Sequence, residues 1–325
     1  MAARAKEKQG PRGREEGNGR PPRADVMPIP EAQLDTWSHQ GAVTTASATY
    51  ELIRRALTAP TSPIRGLDYE VFLQGSYKNS TNIRGDSDVD VVAQLNSTFE
   101  SDKGLLTEFQ RSLLDQTLTG ATYLLPDFRR DVIKALRSYF GADAVTEGNK
   151  SLKLAAAPGR LAADVVVCLQ YRRYLRFWSQ QDHQFIEGIV FYTQMEGHRV
   201  INFSKPHYEN GVTKNDAAHC NGWYKPAVRM FKNARTYLED HGRIRAGLAP
   251  SYFLECLLYN VPIEHLGTSF RDSFCNVVNW LLAASTDTFV CQSEQFYLFG
   301  PTPEQWSKAS TQGFVRALVD LWNQW

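Results

Sequence analysis

Asp88 and Asp90 flank Val89, and apolar residues 91–93 follow them, a pattern that reads as a strand entering a protein core. Residues two apart on a strand project from one face, so both carboxylates point one way while Val89 and Val91 pack the other. Like charges at that spacing repel, and in the neighbouring sequence only Arg84 offers to neutralise them. A bound divalent cation relieves the repulsion, and all-oxygen donors favour a hard ion, Mg²⁺ or Mn²⁺, that also takes substrate phosphates. Taken alone, such a pair more often marks a solvated strand edge.

The preceding segment tips the balance toward metal. YEVFL, from Tyr69, reads as a strand that ends at Gly75 and Ser76, with eleven residues between Ser76 and Asp88. A Gly-Ser turn there can present backbone N–H groups and a hydroxyl to phosphate oxygens. Two metal ions would need a further carboxylate from another strand. Asp164 is the candidate, because it opens the β-branched run DVVVCL, where an unpaired acid is costly. Asp143 and Glu147 are weaker alternatives, and Asp86, nearer the turn, reads as a neighbour of the pair.

A chain of 325 residues is roughly two domains' worth. Residues 1–30 hold seven Lys/Arg, four acids and nine Gly/Pro with few large apolar side chains, and are expected to be a disordered basic tail. The rest carries 29 basic and 31 acidic residues out of totals of 36 and 35, which lacks the strongly basic footprint of a protein that grips long nucleic acid. No apolar run approaches the roughly 18 residues that span a bilayer. The five cysteines form no CxxC pair and follow no secretory signal, so free thiols in a reducing cytoplasm are expected.

Residues 34–57 show helical spacing without an internal proline and are expected to form one long helix. Strands then alternate with amphipathic helices at 105–118 and 128–140, and further strands are expected from Leu161, at EGIVFYT and at HRVINF. Beyond about Asn210 the pattern is helical alone, at 223–241, 251–261, 268–284 and from Pro303 to the end. The expected organisation is an α/β lobe over residues 31–210 and a helical lobe over 211–325. On the helix from Trp223, Lys225, Arg229 and Lys232 make a basic stripe, while Val228, Phe231 and Leu238 make an apolar one. Such a basic stripe either faces something anionic or is simply solvated. The adjacent His219 and Cys220 are too few for a zinc site and read as local structure.

The Leu73-to-Leu95 segment, with QGSY and then SDVDV, resembles the DNA polymerase β-like nucleotidyltransferase motif, a Gly-Ser turn followed by spaced aspartates and a later third acid. It more closely resembles the bacterial cGAS/DncV-like nucleotidyltransferases (CD-NTases), of clade E or G type, and NGWYKPAVRMFKNAR and SYFLECLLYN extend the likeness over most of residues 35–300. The resemblance implies an α+β fold. Its polymerase β-like nucleotidyltransferase lobe, a mixed sheet with helices, would meet a C-terminal helical lobe, with the active site in the cleft between them.

The resemblance also implies residue roles. Asp88, Asp90 and Asp164 would hold two Mg²⁺ ions. Gly75, Ser76, Lys232 and Ser251 would contact the donor triphosphate, and Tyr252 would stack on the donor base, unless it is plain core. The expected activity is synthesis of a cyclic oligonucleotide, most simply a cyclic dinucleotide, from nucleoside triphosphates such as ATP, GTP or UTP. The expected setting is a cytoplasmic monomer whose product, a second messenger in antiphage (CBASS) defence, is read by a separate effector protein. A linear-oligonucleotide, RNA-tailing or protein-modifying nucleotidyltransferase is the alternative within the superfamily; a nucleotide-sensing scaffold with an inert site is the alternative outside it. Base selection is expected from polar side chains of residues 172–185 or near Asn210.

Overall fold

The computed structural model describes residues 28–325 except Asp86 and Pro303. The expected tail therefore falls almost wholly outside the described residues, as does Asp86.

Seven strands form one mixed sheet. β1 (Tyr69–Leu73) pairs antiparallel with β2 (Val89–Asp102), which runs parallel to β5 (Ala163–Phe177). The start of β5 pairs with β4 (Leu152–Leu154), which carries β3 (Val145–Glu147); its second half pairs with β6 (His183–Tyr192), which carries β7 (Arg199–Asn202). Strands covered on both faces read as continuous apolar runs, and β2 and β5 are of this kind. Val89, Val91, Val165 and Val167 pack with α2 (Thr44–Thr58) and α5 (Leu125–Phe140) on one face. Val92, Val166 and Cys168 meet Ile189 and Phe191 on the other. α4 (Glu108–Thr117) closes the far end of β5 through Leu114, Tyr174 and Phe177.

A second core is helical. It joins α1 (Glu31–Ser38), α7 (Tyr224–Asp240), α8 (Ser251–Tyr259), α9 (Phe270–Ala283) and α10 (Lys308–Asn323) around Leu34, Val228, Phe231, Leu254, Phe274 and Leu318. Two short elements lie between the cores: α3 (Gly75–Asn79), directly after β1, and α6 (Ser204–Asn215), directly after β7. Mixed sheet plus helical lobe is the α+β architecture expected from the sequence.

Several expectations need correction. Residues 34–57 are not one helix: the chain breaks between Ser38 and Thr44. Leu34 and Trp37 belong to the helical core whereas Ile53 and Leu57 belong to the core under the sheet, so one rod could not serve both. Gly41 sits in the break, where a Cβ would come within 2.7 Å of the Arg84 backbone. The last helix begins at Lys308 rather than Pro303, because the Ser307 hydroxyl caps it by accepting from Ser310 N. β6 starts at His183, which makes residues 178–182 the tip of a β5–β6 hairpin. α6 and the three-residue strands β3 and β4 were not anticipated.

Candidate active site

The parallel register of β2 and β5 pairs Asp90 directly with Asp164. Asp88 stands just ahead of β2, so the three aspartates expected from the sequence are brought to one end of the two central strands. Asp90 is mostly buried, and its carboxyl is pushed up to about 7, first by burial and then by the charges of Asp164, Asp88 and Glu255, with Lys232 opposing. The Asp164 carboxylate accepts a hydrogen bond from Ser151 Oγ at 2.9 Å, an orientation that β4 supplies by pairing with the start of β5. Glu147, by contrast, is paired with Arg129 and Arg137 on α5, and the neighbouring Asp143 lies exposed.

The Gly-Ser turn is built against this pair. Gln74 N donates to Asp90 O at 2.9 Å, and Gly75 then turns the chain into α3 with φ of 68°. Ser76 and Asp88 both line a cavity of about 370 Å³, with Ser251 and Tyr252 from α8 across it. A second cavity, of about 300 Å³, lies on the Asp164 side over the apolar floor of Val166, Ile189 and Phe191, with Trp306 at its wall. Gln74, Asp90, Asn202 and Tyr252 line both cavities. The two cavities therefore meet at the Asp90 carboxylate.

Below Ser251 lies a buried polar network that fastens the lobes together. Glu255, on the otherwise apolar α8, receives hydrogen bonds from Asn79 Nδ2 (2.8 Å) and Thr81 Oγ1 (2.6 Å) of the sheet lobe. Lys232 Nζ lies 2.5 Å from Glu255 Oε1, and His207 Nε2 lies 2.9 Å from Oε2. Burial opposes ionisation of Glu255, but Lys232 and His207 overcome it and hold its carboxyl well below the usual range. The His207 ring also stacks on Tyr252, with centroids 5.2 Å apart, and so backs the ring that faces the cleft.

The basic stripe divides. Lys232 is fully buried against Glu255 and Thr81. Arg229 is not free for a ligand: it donates to Ser38 O (2.5 Å) and Ser80 O (2.6 Å), pinning α1 and the end of α3. Lys225 is half-buried beside the Tyr208 ring. His219 pairs locally with Asp216, and Cys220 donates to Lys214 O. Two of the positions expected to select the base are not at the cleft. Arg172 stacks on Phe99 near the hairpin, Asn210 donates to Gln292 O, and neither lines the two chambers. Gln74, Asn202, His207 and Glu255 do line the cleft and were missed; the lone acid in SYFLECLLY was the available signal for Glu255.

The donor set fits a hard cation in part. Among the described residues no three His, Cys, Asp or Glu side chains are grouped so that they could hold a metal ion by themselves. Yet the carboxylates of Asp88, Asp90 and Asp164 crowd closely enough to disfavour ionisation of Asp90, and an open all-oxygen set of this kind is what Mg²⁺ takes when phosphates supply the remaining ligands. All five cysteines are free thiols, four of them buried.

Comparison with known proteins places this geometry. Residues 209–323 match the cGAS/DncV-like nucleotidyltransferase C-terminal helical domain. Over 92% of this chain and 99% of the relative, the sequence is 52% identical to a cyclic UMP-AMP synthase of Rhodothermus marinus. It is 41% identical to the cyclic nucleotide synthase CdnE01 of Staphylococcus haemolyticus, over 92% of this chain and all of the relative. The solved Rhodothermus marinus CdnE c-UMP-AMP synthase with Apcpp and Upnpp superposes with a TM-score of 0.82 at 51% identity, covering 92% of this chain and 98% of that one.

Proposed function

Because the chain belongs to the bacterial cGAS/DncV-like nucleotidyltransferases, in clade E, we propose that it joins two ribonucleoside triphosphates into a cyclic dinucleotide, with UTP and ATP as the pair. The observation that carries this is the pairing of Asp90 with Asp164 at the junction of two chambers, in a chain 52% identical to a cyclic UMP-AMP synthase.

Asp88, Asp90 and Asp164 would hold two Mg²⁺ ions, or Mn²⁺; bound there, they would supply charge neutralisation for an attacking ribose hydroxyl and a departing pyrophosphate. The chain's own groups do the positioning. Gly75 and Ser76 on one wall and Ser251 on the other hold the donor triphosphate, and Lys232, buried beneath Ser251 against Glu255, adds positive charge from behind. Tyr252, backed by His207, stacks on a base and tolerates any base there. Ser151 holds the Asp164 carboxylate toward the junction. A hydroxyl of one ribose attacks the α-phosphorus of the other nucleotide in line; the linear product then turns round in the cleft and closes by the same chemistry.

The proposed setting is a cytoplasmic monomer that makes a second messenger for antiphage (CBASS) defence, read by a separate effector. No helix among the described residues is long and apolar enough to cross a membrane, and a body carrying 29 basic and 31 acidic residues suits a small product better than a polymer. A division near residue 210 is likewise proposed, into a nucleotidyltransferase lobe and a helical lobe over 211–325, with α1, which packs in the helical core, taken out of the 31–210 lobe and assigned to the helical one. Incubation with the four ribonucleotides, phosphatase treatment and mass spectrometry test the function. A phosphatase-resistant ring with the mass of cyclic UMP-AMP is expected; a linear, phosphatase-sensitive oligomer would put the chain with the tailing enzymes instead.

A further inference from the structure

A third cavity, of about 450 Å³, opens behind Ser76 and Ser251 and is walled by Arg84, Lys232 and Arg235. Ser76, Ser87 and Ser251 line both this cavity and the cleft, so one continuous space leads from Asp88 past the serines to the two guanidiniums. Arg235 lies three residues beyond Lys232 on α7, on the same side of the helix. Arg84 comes from the loop that leads into β2.

The two guanidiniums are held mainly by carboxylates. Arg235 Nε is ion-paired with Glu239 at 3.3 Å without a hydrogen bond to it, and Nη1 donates to Ala249 O at 3.1 Å. Arg84 approaches Asp240 at 4.0 Å and no closer. Burial depresses the Arg235 pKa, Glu239 partly restores it, and the facing charge of Arg84 depresses it further. Two guanidiniums that face one cavity, each beside a carboxylate that also lines it, can exchange that carboxylate for an anion of higher charge.

We propose that Arg84 and Arg235 form an annex of the nucleotide site that binds a pyrophosphate group. The identity of that ligand rests on the reading of the chain as a nucleotidyltransferase. In each transfer a bond forms between a ribose oxygen and the α-phosphorus, and the bond from that phosphorus to the bridging oxygen breaks. The bridging oxygen keeps the electron pair and leaves in pyrophosphate, while the hydroxyl proton passes to water. The guanidiniums, whose planar forks match phosphate oxygens, exchange Glu239 and Asp240 for this anion. The annex serves either the β,γ end of the bound triphosphate or the released pyrophosphate.

The test is calorimetric binding of inorganic pyrophosphate, with Mg²⁺, to the full chain and to its Arg84→Gln and Arg235→Gln variants, with melting temperature as a control for folding. Wild type is expected to bind, and each variant to lose about tenfold in affinity. Arg84→Gln keeps the test decisive should Arg235→Gln unfold, because the Arg84 side chain is 59% exposed and makes only a 4.0 Å pair. Kinetics separate the two sources. A KM for nucleotide that rises in step assigns the annex to the β,γ end; an unchanged KM with weaker pyrophosphate inhibition assigns it to the leaving group. Unchanged pyrophosphate affinity in folded variants of an active enzyme overturns the annex alone. A wild type that binds pyrophosphate through these arginines but makes no cyclic product overturns the enzymatic reading instead.

Discussion

A Cβ built on Gly75 would lie 2.0 Å from Oδ2 of Asp90. Glycine is required there twice over, by that approach and by the backbone φ of 68°. The turn that carries Ser76 and the strand that carries Asp90 are thus seated on each other with no room for a side chain between them.

Gly75→Ala is therefore expected to cost about 1–2 kcal/mol from the left-handed backbone alone. It should also displace the Asp90 carboxylate and reduce kcat by at least about a hundredfold. Thermal melting and steady-state kinetics on the same preparation check both; an active alanine variant would mean that the turn and Asp90 need not touch.

Asp90 gives a pH signature. Its folded pKa of about 7 lies above the unfolded value near 3.8, so between these limits the folded state binds more protons than the unfolded one. Without metal, stability should therefore fall as pH rises from about 4 to 7. Asp90→Asn should flatten that fall and stabilise the metal-free protein at pH 8 by up to roughly 4 kcal/mol. Added Mg²⁺ should raise the wild-type melting temperature at pH 8 much more than the variant's. Parallel melting curves with and without chelator for both proteins would contradict this.

The Glu255–Lys232 pair is predicted to behave as a buried ion pair. Glu255→Ala strands the Lys232 ammonium and should cost about 3–5 kcal/mol in denaturant unfolding, whereas Glu255→Gln with Lys232→Met should recover a large part of that loss. The double variant should still fail to turn over, since it lacks the positive charge proposed to back the triphosphate. Full activity in it would confine Lys232 to a structural role.

Tyr252→Ala should weaken nucleotide binding by about 1–3 kcal/mol, read as a rise in KM, while Tyr252→Phe keeps the ring and should change KM little. An equal loss in both variants would point to the hydroxyl, not to stacking.

The grouping of the three aspartates was more legible in the sequence than the scaffold around them. Asp88, Asp90 and Asp164 were legible because an acid inside a β-branched run stands out, and strand periodicity alone sets which way it points. What escaped depends on contacts between distant segments. The break at Gly41 answers to the Arg84 backbone, 43 residues on. Arg229 looks solvent-facing on a helical wheel, yet it serves the carbonyls of Ser38 and Ser80. Lys232 looks like its neighbour in the stripe until Glu255 is seen opposite it, and no local pattern links positions 23 residues apart. β3 and β4 are three residues long, too short for any periodicity to register.

Replacing Asp88 and Asp90 together by Asn, and following labelled UTP and ATP into phosphatase-resistant product, decides whether these carboxylates run the reaction. Wild type should accumulate the ring in Mg²⁺ buffer, and the double variant, melting as a folded protein, should make none. Undiminished ring formation by that folded variant would contradict the account.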